Sequence, residues 1–271
     1  MKTTNEKTTT PVQFGITSMY PAPGIIERIG AEWDWIWIDG QHGEHGGYTE
    51  ILSMVRACNL IQRPAFVRVP SHELGWISMA LDMNAAGVIV PQVESVEEAK
   101  AVVHRAKFPP IGNRSYGGRR PIDFLGRNYS NTANTDQKLI CQIESEEALQ
   151  AAEQIAALPG VDGLFLGPDD MMLRKGHAMD QPRSKEVMAD VIGRMVQACE
   201  KHGKIPFTVA VGDENIAMCV SLGVKYIVSG GDVPFLVNGS KDTVARAREV
   251  CKQALSAAVD THGSVEAKTI Y

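Results

Sequence analysis

The sequence lacks any long hydrophobic run and any pairing pattern of cysteines. No segment reaches the roughly 18 apolar residues that a membrane-spanning helix needs, and residues 1–11, rich in Thr and Lys, lack the apolar stretch of a secretory signal. The five cysteines are odd in number and form no Cys-x-x-Cys pair, which predicts buried free thiols in a reducing compartment. We therefore expect a cytoplasmic protein with no membrane contact and a loose N-terminal arm over residues 1–11.

A strong charge of one sign is also missing. The formal net charge is −5 over 271 residues, of which 22% are charged and 44% are hydrophobic. A mildly acidic chain gives no reason to expect nucleic acid or an anionic membrane as a partner. The apolar share is sufficient for a full core, and the length suits one barrel domain of about 250 residues with short tails.

Short apolar runs alternate with helical patterns along the chain. This alternation is typical of βα units, and the absence of a Gly-x-Gly-x-x-Gly turn favours a (β/α)8 barrel, a TIM barrel, over a Rossmann sheet. The barrel is expected to cover residues 12–258, followed by a tail at 259–271. The predicted strands are 12–18, 35–39, 65–69, 87–93, 138–144, 163–167, 205–210 and 225–230, and two long helices are predicted at 183–202 and 241–258.

Polar side chains stand at the ends of several predicted strands, where barrel active sites form. Asp39 ends the second strand and His42 follows, which suggests a carboxylate–histidine pair for acid/base catalysis. Two alternatives stay open: Asp39 belongs to a turn that is followed by exposed histidines, or His42 and His45 bind a metal together. Arg68 interrupts the third strand, as a guanidinium that grips a substrate carboxylate would. A structural salt bridge is the alternative for this arginine.

The fifth and sixth strands end in carboxylates. Gln142 and Glu144 point to one side at the end of the fifth strand, and a carboxylate there favours a nearby cation. Gly167 and Pro168 form a turn after the sixth strand, followed by Asp169 and Asp170, one of which can complete a carboxylate pair. The alternatives are acids at helix N-termini. Two oxygen ligands with open positions suit Mg²⁺ or Mn²⁺ better than a closed zinc site.

Several ordered motifs, spread over roughly residues 12–250, carry a resemblance to a known family. The chain resembles the HpcH/HpaI aldolases, metal-dependent 2-oxo acid aldolases of the 4-hydroxy-2-oxoheptanedioate and 2-dehydro-3-deoxyglucarate type. The resemblance implies a modified barrel whose terminal helix protrudes or is swapped between subunits, in a homo-oligomer that is often a hexamer. The motifs are WIDGQH (37–42), FVRVP (66–70), ALDMNAAGVIVPQVES (80–95), FPPIGNRS (108–115), CQIES (141–145) and GVDGLFLGPDDM (160–171).

The resemblance also implies a role for each matching residue. Glu144 and Asp170 would be the ligands of a divalent metal, Mg²⁺ or Mn²⁺ with Co²⁺ as a further option. Arg68 would hold the 2-oxo acid and its enolate, and His42, paired with Asp39, would exchange a proton with the aldehyde oxygen. Gln142 and the turn Gly167–Pro168–Asp169 would form the pyruvate pocket.

Three features depart from the family pattern. Gln41 replaces a Glu before the histidine, which leaves the metal preference open, and Asp169 adds a charge to a turn that usually reads GPAD. The third is YGGRR (116–120), in the long polar stretch 109–137, which is predicted to be a functional loop. Arg119 and Arg120 are expected on the aldehyde side, selecting acidic acceptors. A solvated or subunit-bridging loop is the alternative.

The predicted reaction is cleavage or formation of the bond between the pyruvate enolate and an aldehyde, starting from 4-hydroxy-2-oxo acids. None of the predicted strands ends in a lysine, which disfavours a Schiff base. Alternatives within the family are oxaloacetate decarboxylation or an enolate condensation like that of macrophomate synthase or citrate synthase. Outside it, VSGGD (228–232) could serve a metal-free phosphate-binding isomerase, or the barrel could act in binding alone.

Overall fold

The computed structural model describes residues 11–71 and 73–262 and forms a closed barrel of parallel strands in the order β1 to β8. The predicted (β/α)8 architecture is therefore confirmed. Seven strands agree with the predicted bounds to within one residue, and β4 ends three residues early. The strands are β1 (Gln13–Ser18), β2 (Trp35–Asp39), β3 (Ala65–Arg68), β4 (Gly87–Val90), β5 (Lys138–Ile143), β6 (Gly163–Leu166), β7 (Ile205–Val209) and β8 (Tyr226–Gly231).

Helices follow the strands, and a short 3₁₀ turn at Gly30–Glu32 follows the first helix. Ser95 caps the N-terminus of the fourth helix, because its Oγ accepts the backbone N–H of Glu98 at 3.2 Å. The helices are α1 (Pro23–Ile29), α2 (Tyr48–Leu60), α3 (Leu74–Asp82), α4 (Val96–Ala106), α5 (Arg119–Leu125), α6 (Ser130–Asp136), α7 (Glu146–Ala156), α8 (Pro168–Arg174), α9 (Lys185–Lys201), α10 (Asp213–Ser221) and α11 (Asp232–His262).

Large side chains fill the inside of the barrel. Trp35, Phe66 and Phe207 pack edge to face or tilted, with ring centroids 5.5 to 5.7 Å apart. Gly15 makes room for this cluster, since a Cβ at this position would lie 2.3 Å from the Trp35 ring. The barrel is thus a packed core, and polar side chains have space only at its ends.

The stretch 109–137 is not the single loop that its composition predicted, since it contains α5 and α6. It follows α4 and precedes β5, so it lies at the N-terminal end of the strands. Arg120 there donates to the carbonyl oxygen of Met83 at 3.0 Å and to Oδ1 of Asn59 at 2.8 Å. Arg119 pairs with Asp123 at 2.7 Å.

The expectation that Arg119 or Arg120 reaches the mouth of this chain's own barrel is therefore wrong. In a βα barrel the segment after a helix returns to the end opposite the active site. The alternative, a subunit-bridging segment, stays a prediction.

The last helix begins at Asp232, not at residue 241, and continues to His262. Pro234 lies in its first turn, where a missing backbone N–H is tolerated. The barrel unit ends at Asp232, and a second unit begins at Val233. Side chains of this helix are exposed from Pro234 to Ala257. The predicted tail at 259–271 is helical up to His262, and the rest of it lies outside the described residues, as does most of the predicted N-terminal arm.

None of the described helices combines the length and the apolar character that crossing a membrane requires. Cys58, Cys141, Cys199 and Cys219 are buried free thiols, as predicted, whereas Cys251 is exposed.

Candidate active site

Arg68 and Asp39 form a buried ion pair at the C-terminal ends of two neighbouring strands. The strand register places these two residues side by side across β2 and β3. Nε and Nη2 of Arg68 donate to the two carboxylate oxygens of Asp39, at 2.8 and 2.5 Å. The guanidinium also lies over the Trp37 ring, 4.6 Å from its centroid. Its Nη1 has no protein partner in the described residues, so this group remains available to an anionic ligand.

The Asp39 carboxylate is held in its charged form by this pairing. Burial by itself raises the pKa of Asp39, but the Arg68 guanidinium and the N–H groups of His42 and Gln41 outweigh it, and the pKa falls below its ordinary value. Arg68 is thereby fixed in one orientation, because both partners are buried and charged.

The predicted pairing of Asp39 with the His42 ring is not found. Asp39 accepts the backbone N–H of His42 at 3.2 Å, while its oxygens are taken by Arg68. The His42 ring is exposed in the loop after β2 and makes no hydrogen bond within the described residues. His45 is buried instead, and its Nε2 lies 3.1 Å from the Ser18 carbonyl oxygen. This placement disfavours a metal site built from the two histidines.

Glu144 follows β5 directly and is almost fully buried, with a relative exposure of 1%. Its Oε1 accepts from Gln142 Nε2 at 2.6 Å, and its Oε2 accepts the backbone N–H of Gln92 at 2.9 Å. Gly167 packs so closely that a Cβ there would lie 2.7 Å from Glu144 Cγ. The carboxylate is therefore fixed by two strand ends and the loop after β4.

Sequence reasoning missed the contribution of Gln92. The residue adopts a left-handed backbone conformation, with φ of 55°, and uses its backbone N–H. Such a contact leaves no signal in the residue type, because every residue except proline has this donor.

Asp170 stands in the first turn of α8, near enough to Glu144 for its charge to act on that carboxylate. Burial raises the pKa of Glu144, and the negative charge of Asp170 raises it further, against the N–H of Gln92 and the charges of Arg68 and Arg174. Asp170 accepts no hydrogen bond from the part of the chain that the structure describes. Two carboxylates so placed repel each other unless a proton or a cation lies between them.

These residues fit a divalent cation. Both carboxylates offer oxygen atoms, the ligands that Mg²⁺ and Mn²⁺ prefer. The side-chain carbonyl oxygens of Gln41 and Gln142 are buried without a donor in the described residues, so they are further acceptors at the same end of the barrel. Among the described residues no group of three or more His, Cys, Asp or Glu side chains is placed to hold a metal ion together.

Asp169, which was expected in the substrate pocket, has an exposed side chain paired with Arg183 at 2.5 Å. Only its backbone therefore lies in the turn that follows β6.

Asp232 is the last residue of VSGGD (228–232), the stretch considered as a phosphate site in the isomerase alternative. Its carboxylate is buried and accepts the backbone N–H groups of Met19 and Tyr20, each at 3.0 Å. A buried negative charge beside the turn repels phosphate, so the geometry disfavours the isomerase alternative. The role of Asp232 as an acceptor for the N–H groups of Met19 and Tyr20 has one signal in the sequence: an aspartate that begins a helix directly after a glycine turn.

The fold and the strand-end cluster together define a (β/α)8-barrel enzyme with its site at the C-terminal ends of the strands. The sequence model of the family described as HpcH/HpaI aldolase/citrate lyase matches residues 23–238. The chain belongs to this family, as the motifs predicted.

Three known proteins illustrate the similarity. A 4-hydroxy-2-oxovalerate aldolase from Novosphingobium aromaticivorans is 33% identical, covering 88% of this chain and 91% of its own. A pyruvate aldolase from Rhizobium etli is 35% identical, covering 86% and 92%. The crystal structure of a citrate synthase superposes with a TM-score of 0.79 at 26% identity, covering 90% of this chain and 96% of its own.

Proposed function

We propose that the protein is a divalent-metal-dependent aldolase that cleaves 4-hydroxy-2-oxo acids to pyruvate and an aldehyde, or joins the two. One observation carries the proposal. A buried arginine with a free Nη1 stands at the same barrel mouth as two mutually repelling carboxylates, Glu144 and Asp170. Such a mouth suits a 2-oxo carboxylic acid, which brings anionic oxygens to a cation and to a guanidinium.

Glu144 and Asp170 would hold the cation, which supplies Lewis-acid polarisation of the 2-oxo group when it is bound. Arg68 donates to the substrate oxygens and stabilises negative charge as the bond between C3 and C4 breaks. The Asp39 carboxylate keeps the guanidinium oriented for this contact. Gln142 and the backbone of the turn from Gly167 to Asp169 would position the carboxylate of pyruvate.

His42 is proposed as the group that removes the proton from the C4 hydroxyl during cleavage and returns it in the reverse direction. The ring is exposed in the loop after β2, and Asp39 does not engage it. An imidazole within reach of the substrate can act as a general base and then as a general acid. The proposed metal is Mg²⁺ or Mn²⁺. Gln41 is a residue at which this site differs from the family pattern.

Pyruvate release from a panel of 4-hydroxy-2-oxo acids tests the function, with and without a chelator. We expect cleavage that stops on chelation and returns with Mn²⁺ or Mg²⁺, while circular dichroism shows an intact barrel. Cleavage that survives exhaustive chelation would refute metal dependence.

The main alternative is decarboxylation of oxaloacetate or condensation of its enolate, which the similarity to a citrate synthase structure supports. Both use the same enolate site. Measuring carbon dioxide, aldehyde and citrate-like products from the same preparation separates them, because the aldolase reaction releases aldehyde and no carbon dioxide.

His42→Ala should impair aldol cleavage more than enolate formation. Arg68 and the carboxylate pair serve the enolate, whereas His42 serves the aldehyde oxygen, and loss of a general base costs roughly 10²- to 10⁴-fold. Exchange of pyruvate methyl protons with deuterated water reports enolate formation alone, and pyruvate release reports cleavage. Equal losses in the two assays would assign His42 to the enolate step or to structure.

The family resemblance also supports a homo-oligomer, with a hexamer as the proposed assembly. Sedimentation or light scattering of the intact chain tests this proposal.

A further inference from the structure

Glu94, in the loop after β4, connects the two elements that carry the carboxylate pair. One carboxylate oxygen accepts from Nη1 of Arg174 at 2.5 Å, and the other accepts the hydroxyl of Ser145. Ser145 follows Glu144 directly, and Arg174 stands one helical turn after Asp170 on the same face of α8. Glu94 therefore contacts one close neighbour of each carboxylate without being a member of the pair.

Further hydrogen bonds hold the groups of this contact in place. The Ser145 hydroxyl donates to Glu94 and accepts the backbone N–H of Ala148 at 3.0 Å as the N-cap of α7. The backbone N–H of Glu94 donates to Glu98 at 2.7 Å, which fixes the loop itself. The hydrogen bond to Glu94 raises the pKa of Arg174, and the charges of Asp170 and Glu144 add to this effect. The guanidinium thus lies within electrostatic reach of both carboxylates.

We propose that Glu94 and Arg174 are positioning residues of the metal site, forming a clamp that keeps the start of α8, with Asp170, next to the end of β5, with Glu144. The inference rests on the proposed function, since it concerns the affinity for the divalent cation. The physical need for a clamp is the repulsion between the two carboxylates, which acts to separate α8 from the end of β5 as long as no cation is bound. The clamp opposes this separation with a charge-assisted hydrogen bond on one side and a hydroxyl on the other.

Simple electrostatics predicts a different result for the same residues. Arg174 is a positive charge near two metal-binding carboxylates, so its removal alone would strengthen cation binding. Removal of Glu94 alone would weaken it. In that case the double variant would bind as the wild type does, because the two charge changes cancel. The clamp predicts weaker binding in all three variants, so the two explanations differ in sign for Arg174.

The test is the Kd of the intact chain for Mn²⁺ in the absence of substrate, measured by electron paramagnetic resonance of the free ion. The variants are Glu94→Gln, Arg174→Gln and the double substitution. Residues that support a metal ligand contribute roughly 10- to 100-fold to affinity, so we expect about a tenfold weakening in each variant, with the double no weaker than the singles. Saturating Mn²⁺ should restore kcat, because the groups that touch substrate are unchanged.

Lys175→Gln is the matched control. Lys175 follows Arg174 and pairs with Glu146 of α7 at 2.6 Å, so the variant removes the same charge and another ion pair at the same end of α8. It leaves the Glu94 contacts in place, and its Mn²⁺ affinity should stay within about twofold of the wild type, in line with the small contribution of an exposed pair. An equal loss in this variant would overturn the specific role of Glu94.

Tighter Mn²⁺ binding by Arg174→Gln, or wild-type affinity in the double variant, would also overturn the clamp. Failure of the wild-type chain to bind Mn²⁺ at all would instead refute the proposed function, and the clamp with it. If Glu94→Gln does not fold, Arg174→Gln carries the same test at a partly exposed position.

Discussion

Glu144→Gln should weaken Mn²⁺ binding by about a hundredfold or more and reduce aldol cleavage to background at ordinary metal concentrations. The substitution keeps the shape of the side chain but removes the negative charge that the cation requires. Residues that merely support a metal ligand already contribute roughly 10- to 100-fold, so loss of a direct ligand should exceed that range. Calorimetric titration with Mn²⁺ and a pyruvate-release assay measure the two effects.

The fold of this variant should be retained, because the buried negative charge is a cost to the apo protein. Burial and the Asp170 charge raise the pKa of Glu144, so the apo protein loses stability as pH rises from the ordinary pKa of a glutamate through the raised one. A neutral amide avoids this cost, and Gln142 can turn its own amide so that its unpartnered oxygen accepts from the new NH2 group. The melting temperature without metal should therefore stay close to that of the wild type. A large fall in melting temperature would show that Glu144 is chiefly structural.

Asp169 provides the matched control for the second ligand. Asp170→Asn should lose metal binding, as Glu144→Gln does. Asp169→Asn should keep it, because the Asp169 side chain is exposed and paired with Arg183. Similar losses in both aspartate variants would contradict the assignment of Asp170 as a ligand.

Arg68→Lys should lower kcat/KM by about ten- to a hundredfold although the charge is kept. The guanidinium uses two nitrogens on Asp39 and leaves Nη1 for the substrate, and a single ammonium cannot make both sets of contacts. One charge-assisted hydrogen bond is worth roughly 1.5–3 kcal/mol, which corresponds to this range of rates. Steady-state kinetics with a 4-hydroxy-2-oxo acid provide the measurement.

Arg114→Lys is the control for this substitution. Arg114 is also buried and binds Gln137 at 2.7 Å and Asp82 at 2.6 Å, but it packs against residues at the N-terminal end of the barrel. The change should lower stability and leave kcat/KM unchanged. Unaltered kinetics in Arg68→Lys, or an equal loss in Arg114→Lys, would make Arg68 a structural residue.

The strands and the positions of the main polar groups were predictable from the sequence. Continuous apolar runs such as WIWID and GLFLG mark strands buried on both faces, and a parallel barrel brings the ends of all strands to one rim. Arg68 and Glu144 therefore had to lie at the same rim once the strands were assigned. The family motifs agreed with this placement, and the match of the family model confirms the family itself.

The partners of these groups were not predictable in the same way. Asp39 lies three residues before His42 in sequence, yet it pairs with Arg68 because the register of β2 and β3 sets them side by side. Proximity along the chain favoured the histidine, but strand pairing placed a guanidinium closer to the carboxylate.

The tertiary structure alone decided three further points. The stretch with Arg119 and Arg120 follows a helix, so it lies at the far end of the barrel, which its polar composition could not reveal. Glu144 is held by a backbone N–H of Gln92, a donor that no side-chain pattern encodes. Glu94 meets Arg174 across 80 residues of sequence. The sequence determined which residues stand at the strand ends, because burial of a strand dictates its apolar composition. Closure of the barrel decided which of these residues touch, because contact depends on the register of the strands and on the direction of each connection.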